Sequence, residues 1–220
     1  MEAPLPRGAR ISLSSHNSKA ISNNKKVFTF ISFLYLSREF CQLAEEVKMP
    51  ILEFQGKHPK IHKNAFISPQ ATIIGDVEIG EYSSIWPGCV IRGDFGKVQI
   101  GSYTNVQDGT IIHARSEAAP VIIGNFTSIG SNVVMHGCYC GDTVVVGDGS
   151  IIFEGATIGE GALVAPGSIV AQNTVIPPRT SVGGAPAAQV RVLSREDMTR
   201  FKENAELIAR VFAKLKRWMT

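Results

Sequence analysis

The sequence has few cysteines, no charged tract in its main body and no apolar run long enough to cross a bilayer. Its four cysteines, Cys41, Cys89, Cys138 and Cys140, make neither a CxxC pair nor a zinc-finger spacing. A chain of 23.8 kDa builds its core without a disulfide framework, so reduced thiols are the expectation. Seven of the 22 Lys and Arg lie in residues 1–48 against four acids, which leaves 15 basic and 15 acidic residues from Met49 onward. A neutral body with no basic cluster or interleaved aromatics excludes an electrostatic footprint for nucleic acid. The apolar stretch "VFTFISFLYL" (27–36) is ten residues, short of the roughly 20 that a membrane helix needs. What is present in quantity is apolar surface: 44% hydrophobic residues exclude disorder of the whole chain and suit one substantial domain.

Residues 1–48 read as an N-terminal extension. Through Arg38 they hold six basic residues and one acid, Glu2, with several serines. An acid-poor, Ser- and Arg-containing leader has the composition of an organellar transit peptide, and a basic stretch before an apolar core has that of a signal peptide. A third reading starts the protein at Met49, directly before the regular part of the chain, and places it in the cytoplasm.

From Ile61 the chain becomes periodic. Ile61, Ile67, Ile73, Ile79, Ile85 and Ile91 recur every six residues. After a slip of three the series resumes at Ile100, Val106 and Ile112, and after an insertion at Ile123, Ile129 and Met135. It then runs from Cys140 through Val146, Ile152, Ile158, Val164, Val170 and Ile176 to Val182. Six is neither a helical nor an alternating period; it suits a short strand plus a turn, with the aliphatic residue inward and a following glycine, as at Gly80, Gly101 and Gly124, easing the corner. Three units close one triangular coil, and stacked coils bury the inward residues in a continuous column. The expected fold is an all-β, hexapeptide-repeat parallel β-helix over residues 49–193, of about seven coils by this repeat. Residues 194–220 change period: Ser194 and Asp197 make a capping box, and Phe201, Ala205, Ile208, Phe212, Leu215 and Met219 recur at three or four. This predicts an amphipathic C-terminal helix packed on the same β-helix or on a neighbouring subunit.

Counting repeat units gives every polar residue an address, with residues three units apart stacked. Arg92, His113 and His136 each follow an inward residue at that interval, so they form one column at about 5 Å per coil. Two imidazoles at that spacing can share one metal ion. Gln107 and Ser131 fall on the preceding corner. One chain therefore offers two histidines, short of the three protein ligands of a catalytic zinc, and a third must come from another subunit.

The segments "VIRGDFGKVQIGSYTNVQDGTIIHA" and "SIGSNVVMHGC" make residues 50–220 resemble the γ-class carbonic anhydrase family. The resemblance implies a left-handed coil and homotrimers or heterotrimers with zinc, or iron, at subunit interfaces. It further implies His113 and His136 as metal ligands, Gln107 as the residue that positions the attacking water, and Arg92, Asp94 and Asp108 in intersubunit or structural contacts. Where complete family members carry the neighbour's histidine this chain has Ser131, a poor zinc ligand. Asn132 or Cys138 is a candidate substitute, and a different partner chain could supply its own histidine. Phe95 replaces an acidic proton shuttle, leaving Glu117 in the loop "ARSEAAP" as a weak alternative, while Glu154 reads equally as a site-lining acid and as a corner carboxylate. His58 and His62 lie outside the column and are expected at the surface.

The expected function is that of a γ-carbonic anhydrase-like protein with an incomplete metal site, weak or inactive in CO2 hydration as a homotrimer. Two alternatives stand beside it. One is an active carbonic anhydrase with a substitute or partner-supplied ligand; the other is an assembly subunit of a larger complex such as mitochondrial complex I. A hexapeptide acyltransferase shares the fold but fits the Gln107, His113, His136 arrangement least.

Overall fold

A computed structural model describes residues 50–216. The leader-like segment and Met219 lie outside the described residues. Among those described, no helix is long and apolar enough to cross a membrane.

The chain winds into a parallel β-solenoid whose strands stack in three columns, one per side of each coil. The first column includes Ile111–His113, Val134–His136, Ile151–Ile152 and Ile169–Val170, paired in parallel in that order. The second includes Val121–Ile123, Tyr139–Cys140, Thr157–Ile158 and Val175–Ile176. The third runs from Phe66–Ile67 through Asn105–Val106 and Ser128–Ile129 to Thr180–Gly183, where Ala188–Val192 closes it antiparallel.

Inward residues of the six-residue series occupy the middle of this stack. Every one from Ile73 to Val182 is at most 4% exposed, and Cys140 is buried among aliphatics as if it were one. Ile61 and Ile67 are only partly buried because they belong to the first strands of their columns, with no earlier coil beneath them. Buried hydroxyls at the corners are satisfied by carbonyls of the next coil: Thr104 Oγ1 donates to Gly124 O at 2.7 Å, and Thr110 Oγ1 to Gly130 O at 2.7 Å.

Two local expectations are corrected. Short strands broken at every corner do not hold throughout: Thr72–Ile79 and Val90–Ile100 run unbroken through a corner and join the first two columns into one sheet. The slip of three between Ile91 and Ile100 is the extra length of that bend, where the register shifts between Gly75 and Val77. The second correction concerns Gly80, Gly101 and Gly124, which do not adopt positive φ. They are glycines because coils touch there: a Cβ on Gly80 would lie 2.6 Å from the carbonyl carbon of Gly101, and one on Gly101 the same distance from that of Gly124. Left-handed backbone falls elsewhere, for example at Gly109 and Gly149.

The C-terminal helix, Arg195–Lys216, starts with the expected capping box: Ser194 Oγ accepts the Asp197 N–H at 3.1 Å and the Asp197 carboxylate accepts the Ser194 N–H at 2.9 Å. Arg191 adds a second partner for that carboxylate at 2.9 Å and holds it below the usual carboxylate range. The helix packs on its own solenoid. Ala205, Ala209 and Phe212 are buried, with the Phe212 ring 4.6 Å from Trp86 and 5.1 Å from Phe66.

Candidate metal centre

Strand register brings the predicted column together: Arg92, within the unbroken Val90–Ile100, pairs with His113, and His113 with His136 at the ends of the next two first-column strands. The two imidazole centroids are 5.8 Å apart, with ring planes at 77°. A metal about 2.0–2.1 Å from one nitrogen of each ring, at a tetrahedral angle, places the centroids about 5.2 Å apart. The rings need close by only a fraction of an ångström to share an ion.

The nitrogen chemistry is less accommodating. His113 Nε2 lies 3.0 Å from Arg92 Nη2 and 3.1 Å from Asp94 Oδ1, while Arg92 Nη2 and Asp94 Oδ2 form an ion pair at 3.2 Å. Arginine only donates and a carboxylate only accepts, so one ring nitrogen serves one of them at a time. Either way Nε2 is engaged within the chain. Arg92 and Asp94, implied above as intersubunit contacts, here pair with each other.

His136 is different. Its Nδ1 is buried without a hydrogen-bond partner. Burial, then the like charge of His113 and of Arg115, push its pKa down, opposed by Glu154. The neutral imidazole, the form that ligates metal, is thereby favoured.

Gln107 and Ser131 share the corner at the other edge of the first column. Ser131 Oγ lies 3.3 Å from Gln107 Oε1, and its backbone N–H donates to Asp148 Oδ1 at 2.8 Å. Asp108, next to Gln107, accepts the Asn132 N–H through its backbone carbonyl at 2.8 Å. Cys138 is 3% exposed, and burial pushes its thiol up to about 12. That core position argues against a thiolate ligand. Asn132 has left-handed backbone, φ 55°, and its amide oxygen packs over Gly109. Glu117 is exposed in the inserted loop. His58 pairs with Glu53 at 2.7 Å on the surface, and His62 Nδ1 accepts the Asn64 N–H, both away from the column.

The sequence leaves Glu154 open between a site-lining acid and a corner carboxylate and does not single out Arg115; the geometry gives both a place. Glu154 sits beside Gly137: a Cβ at residue 137 would come 3.0 Å from Glu154 Cγ, so glycine lets the acid approach the histidine column. Arg115 faces it at 3.8 Å. The same six-residue count that found His136 leads to this position, two residues past Ile152.

Exposed apolar side chains flank the column. Phe153 continues it, one coil beyond His136, and is 43% exposed; Phe95, Ile111 and Tyr139 are 59%, 40% and 50% exposed. Among the described residues no group of three or more His, Cys, Asp or Glu side chains is arranged to hold a metal ion. One chain's donors therefore do not fit a catalytic zinc: two imidazoles, one of them engaged, and a serine hydroxyl held by an amide.

Residues 58–93 match the family described as "Bacterial transferase hexapeptide (six repeats)". A protein of Methanocaldococcus jannaschii named "Probable carbonic anhydrase" is 52% identical over 145 residues, 66% of this chain and 91% of that protein. "Gamma carbonic anhydrase 2, mitochondrial" of Arabidopsis thaliana is 40% identical over 155 residues, 68% of this chain and 56% of that protein, so the match spans little more than half of that relative. Among solved structures, a hexapeptide transferase family protein from Anaplasma phagocytophilum superposes with a TM-score of 0.71 at 33% identity, covering 76% of this chain and 97% of that one.

Proposed function

The chain belongs to the γ-carbonic anhydrase-like hexapeptide-repeat family, and from that membership we propose that it is a subunit whose own metal site is incomplete at Ser131, with CO2 hydration weak or absent when only copies of this chain assemble. The observation that carries the proposal is the donor set. His113 and His136 are adjacent, but the third position is a serine whose hydroxyl is 3.3 Å from Gln107, and a neutral hydroxyl is a weak zinc ligand.

Assembly is the role left to such a subunit. The exposed Phe95, Ile111, Tyr139 and Phe153 around the histidine corner support burial against another subunit in a trimer. A second reading rests on His136. A half-buried imidazole 5.8 Å from His113, its pKa lowered by burial and its buried Nδ1 without a partner, supports a site that a related chain completes with its own histidine in a mixed trimer. The printed name of the Arabidopsis relative supports a mitochondrial location, in keeping with the transit-peptide reading of residues 1–48.

Zinc or iron per chain, measured by elemental analysis of the purified homo-oligomer beside a Ser131→His variant, tests the proposal. Little metal in the unaltered protein and near one ion per interface in the variant is the expected pair of results. Stoichiometric metal in the unaltered protein would overturn the incomplete-site reading and return the chain to the enzymes.

A further inference from the structure

The solenoid corner between the second and third columns carries an arrangement that the histidine site does not use. Three residues past the inward aliphatics of the second column stand Tyr82, Tyr103 and Phe126, with φ of 56°, 56° and 54°. Left-handed backbone crowds the Cβ of a bulky residue, and one later coil places Gly161 at the same corner. Three successive aromatics there form a ladder, with ring centroids 5.1 and 5.0 Å apart. The C-terminal helix is anchored away from the ladder by Phe212 on Phe66 and Trp86, and it meets the ladder mainly through the polar Lys202, Glu206 and Arg210 and the small Ala209.

Helix and ladder enclose a groove. A cavity of about 470 Å³ is lined by Tyr82, Tyr103, Phe126, Glu206, Ala209 and Arg210. Farther along the same corner a second, of about 310 Å³, is lined by Thr143, Glu160, Arg179, Thr199 and Lys202 among others. Lys202 links them, since its Nζ also lies 4.9 Å over the Phe126 ring that ends the ladder. Glu206 is paired with Arg210 at 3.4 Å, and in the second cavity Lys202 and Arg179 outnumber Glu160. One compartment is aromatic and the other is polar with a basic excess.

We propose that this groove binds a nucleoside phosphate, its flat base against the aromatic ladder and its phosphates at Lys202 and Arg179. The volumes are those of small-molecule sites. Rings already stacked at 5 Å leave no gap for intercalation, so the base presents its face to the positive edges of Tyr103 and Phe126. Lysine and arginine at the far end supply charge-assisted hydrogen bonds to phosphate oxygens. The site is separate from the metal centre: the histidine corner and the Gln107/Ser131 corner bound the first column, and the ladder lies on the corner opposite it.

Calorimetric titration of the full-length oligomer with ADP, adenosine and pyrophosphate tests this, alongside Tyr103→Asn and Lys202→Gln. Asparagine tolerates left-handed backbone, so the first variant removes the ring without breaking the coil. ADP is expected to bind more tightly than adenosine or pyrophosphate. Tyr103→Asn should weaken ADP by about three- to tenfold, while its thermal midpoint stays at or above that of the parent. Lys202→Gln should weaken ADP and leave adenosine unaffected. Absence of ADP binding, pyrophosphate binding as tight as ADP, or ADP affinity unchanged in both variants would overturn the proposal.

Discussion

Removing the thiol of Cys138 should flatten the alkaline loss of stability. The residue follows the His136-Gly137 pair and is the one cysteine close enough in sequence to invite a ligand role, yet its side chain points into the core and is 3% exposed. Burial moves its pKa from an ordinary 9.0 up to about 12. Between these values the unfolded chain has released the proton and the folded chain has kept it. The contribution is therefore fully present below pH 9 and is lost as pH rises toward 12. At pH 10 the loss is about 1 to 2 kcal/mol, and it tends to about 4 kcal/mol beyond pH 12. Urea unfolding at pH 8 and pH 10, on the parent and on Cys138→Ala, isolates the effect, because lysines and tyrosines titrate alike in both. The parent should lose about 1 to 2 kcal/mol more than the variant over that interval. Cys89 is raised by burial in both proteins, whereas part of the rise at Cys140 comes from Cys138 and goes with its thiol, which flattens the variant's alkaline loss further in the same direction. Equal slopes, or rapid alkylation of Cys138 in the folded protein at pH 8, would refute the reasoning and reopen Cys138 as a thiolate ligand.

Three further outcomes follow from the structure. Ser194→Ala removes the acceptor for the Asp197 N–H and should cost about 1 kcal/mol in chemical denaturation. Phe153→Asp puts a charge into the apolar surround of the histidine corner and, if the proposed trimer is buried there, should shift it toward single chains in sedimentation velocity, while circular dichroism stays unchanged; an unshifted profile would remove this corner from the proposed interface. Glu154→Gln deletes the one charge that raises the His136 pKa, so the His136 titration midpoint followed by NMR should move still lower, and a rise would show that Glu154 does not face the ring.

The six-residue period made the solenoid legible because burial in a stacked coil depends on one position per unit. Residues as different as Ile112, Met135 and Cys140 satisfy it equally, all with 0% exposure. The bend through Val90–Ile100 was not legible: a strand that continues through a corner differs from one that stops there by a glycine pair, Gly75 and Gly93, brought into register across coils. Glycines at Gly80, Gly101 and Gly124 were visible, but their cause was not. A period cannot separate a residue that needs positive φ from one that needs room for the next coil's carbonyl, and only the packed stack decides.

For the site, counting units was enough to align Arg92, His113 and His136, since parallel register in a solenoid converts sequence interval into contact. It could not place side-chain nitrogens. The engagement of His113 Nε2 by Arg92 and Asp94 depends on rotamers around the unbroken bend, and it sets a condition on a metal bound through that nitrogen: the Arg92–Asp94 pair must first be drawn off it. A second subunit is the natural source of competing partners for both side chains. On the proposed mixed site, a partner that supplies the third ligand would then also free one of those present. On the proposed incomplete-site reading, Ser131 and the occupied His113 Nε2 express one dependence, and a Ser131→His variant that assembles but still leaves Arg92 on that nitrogen is expected to bind metal through it poorly despite three histidines at each proposed interface.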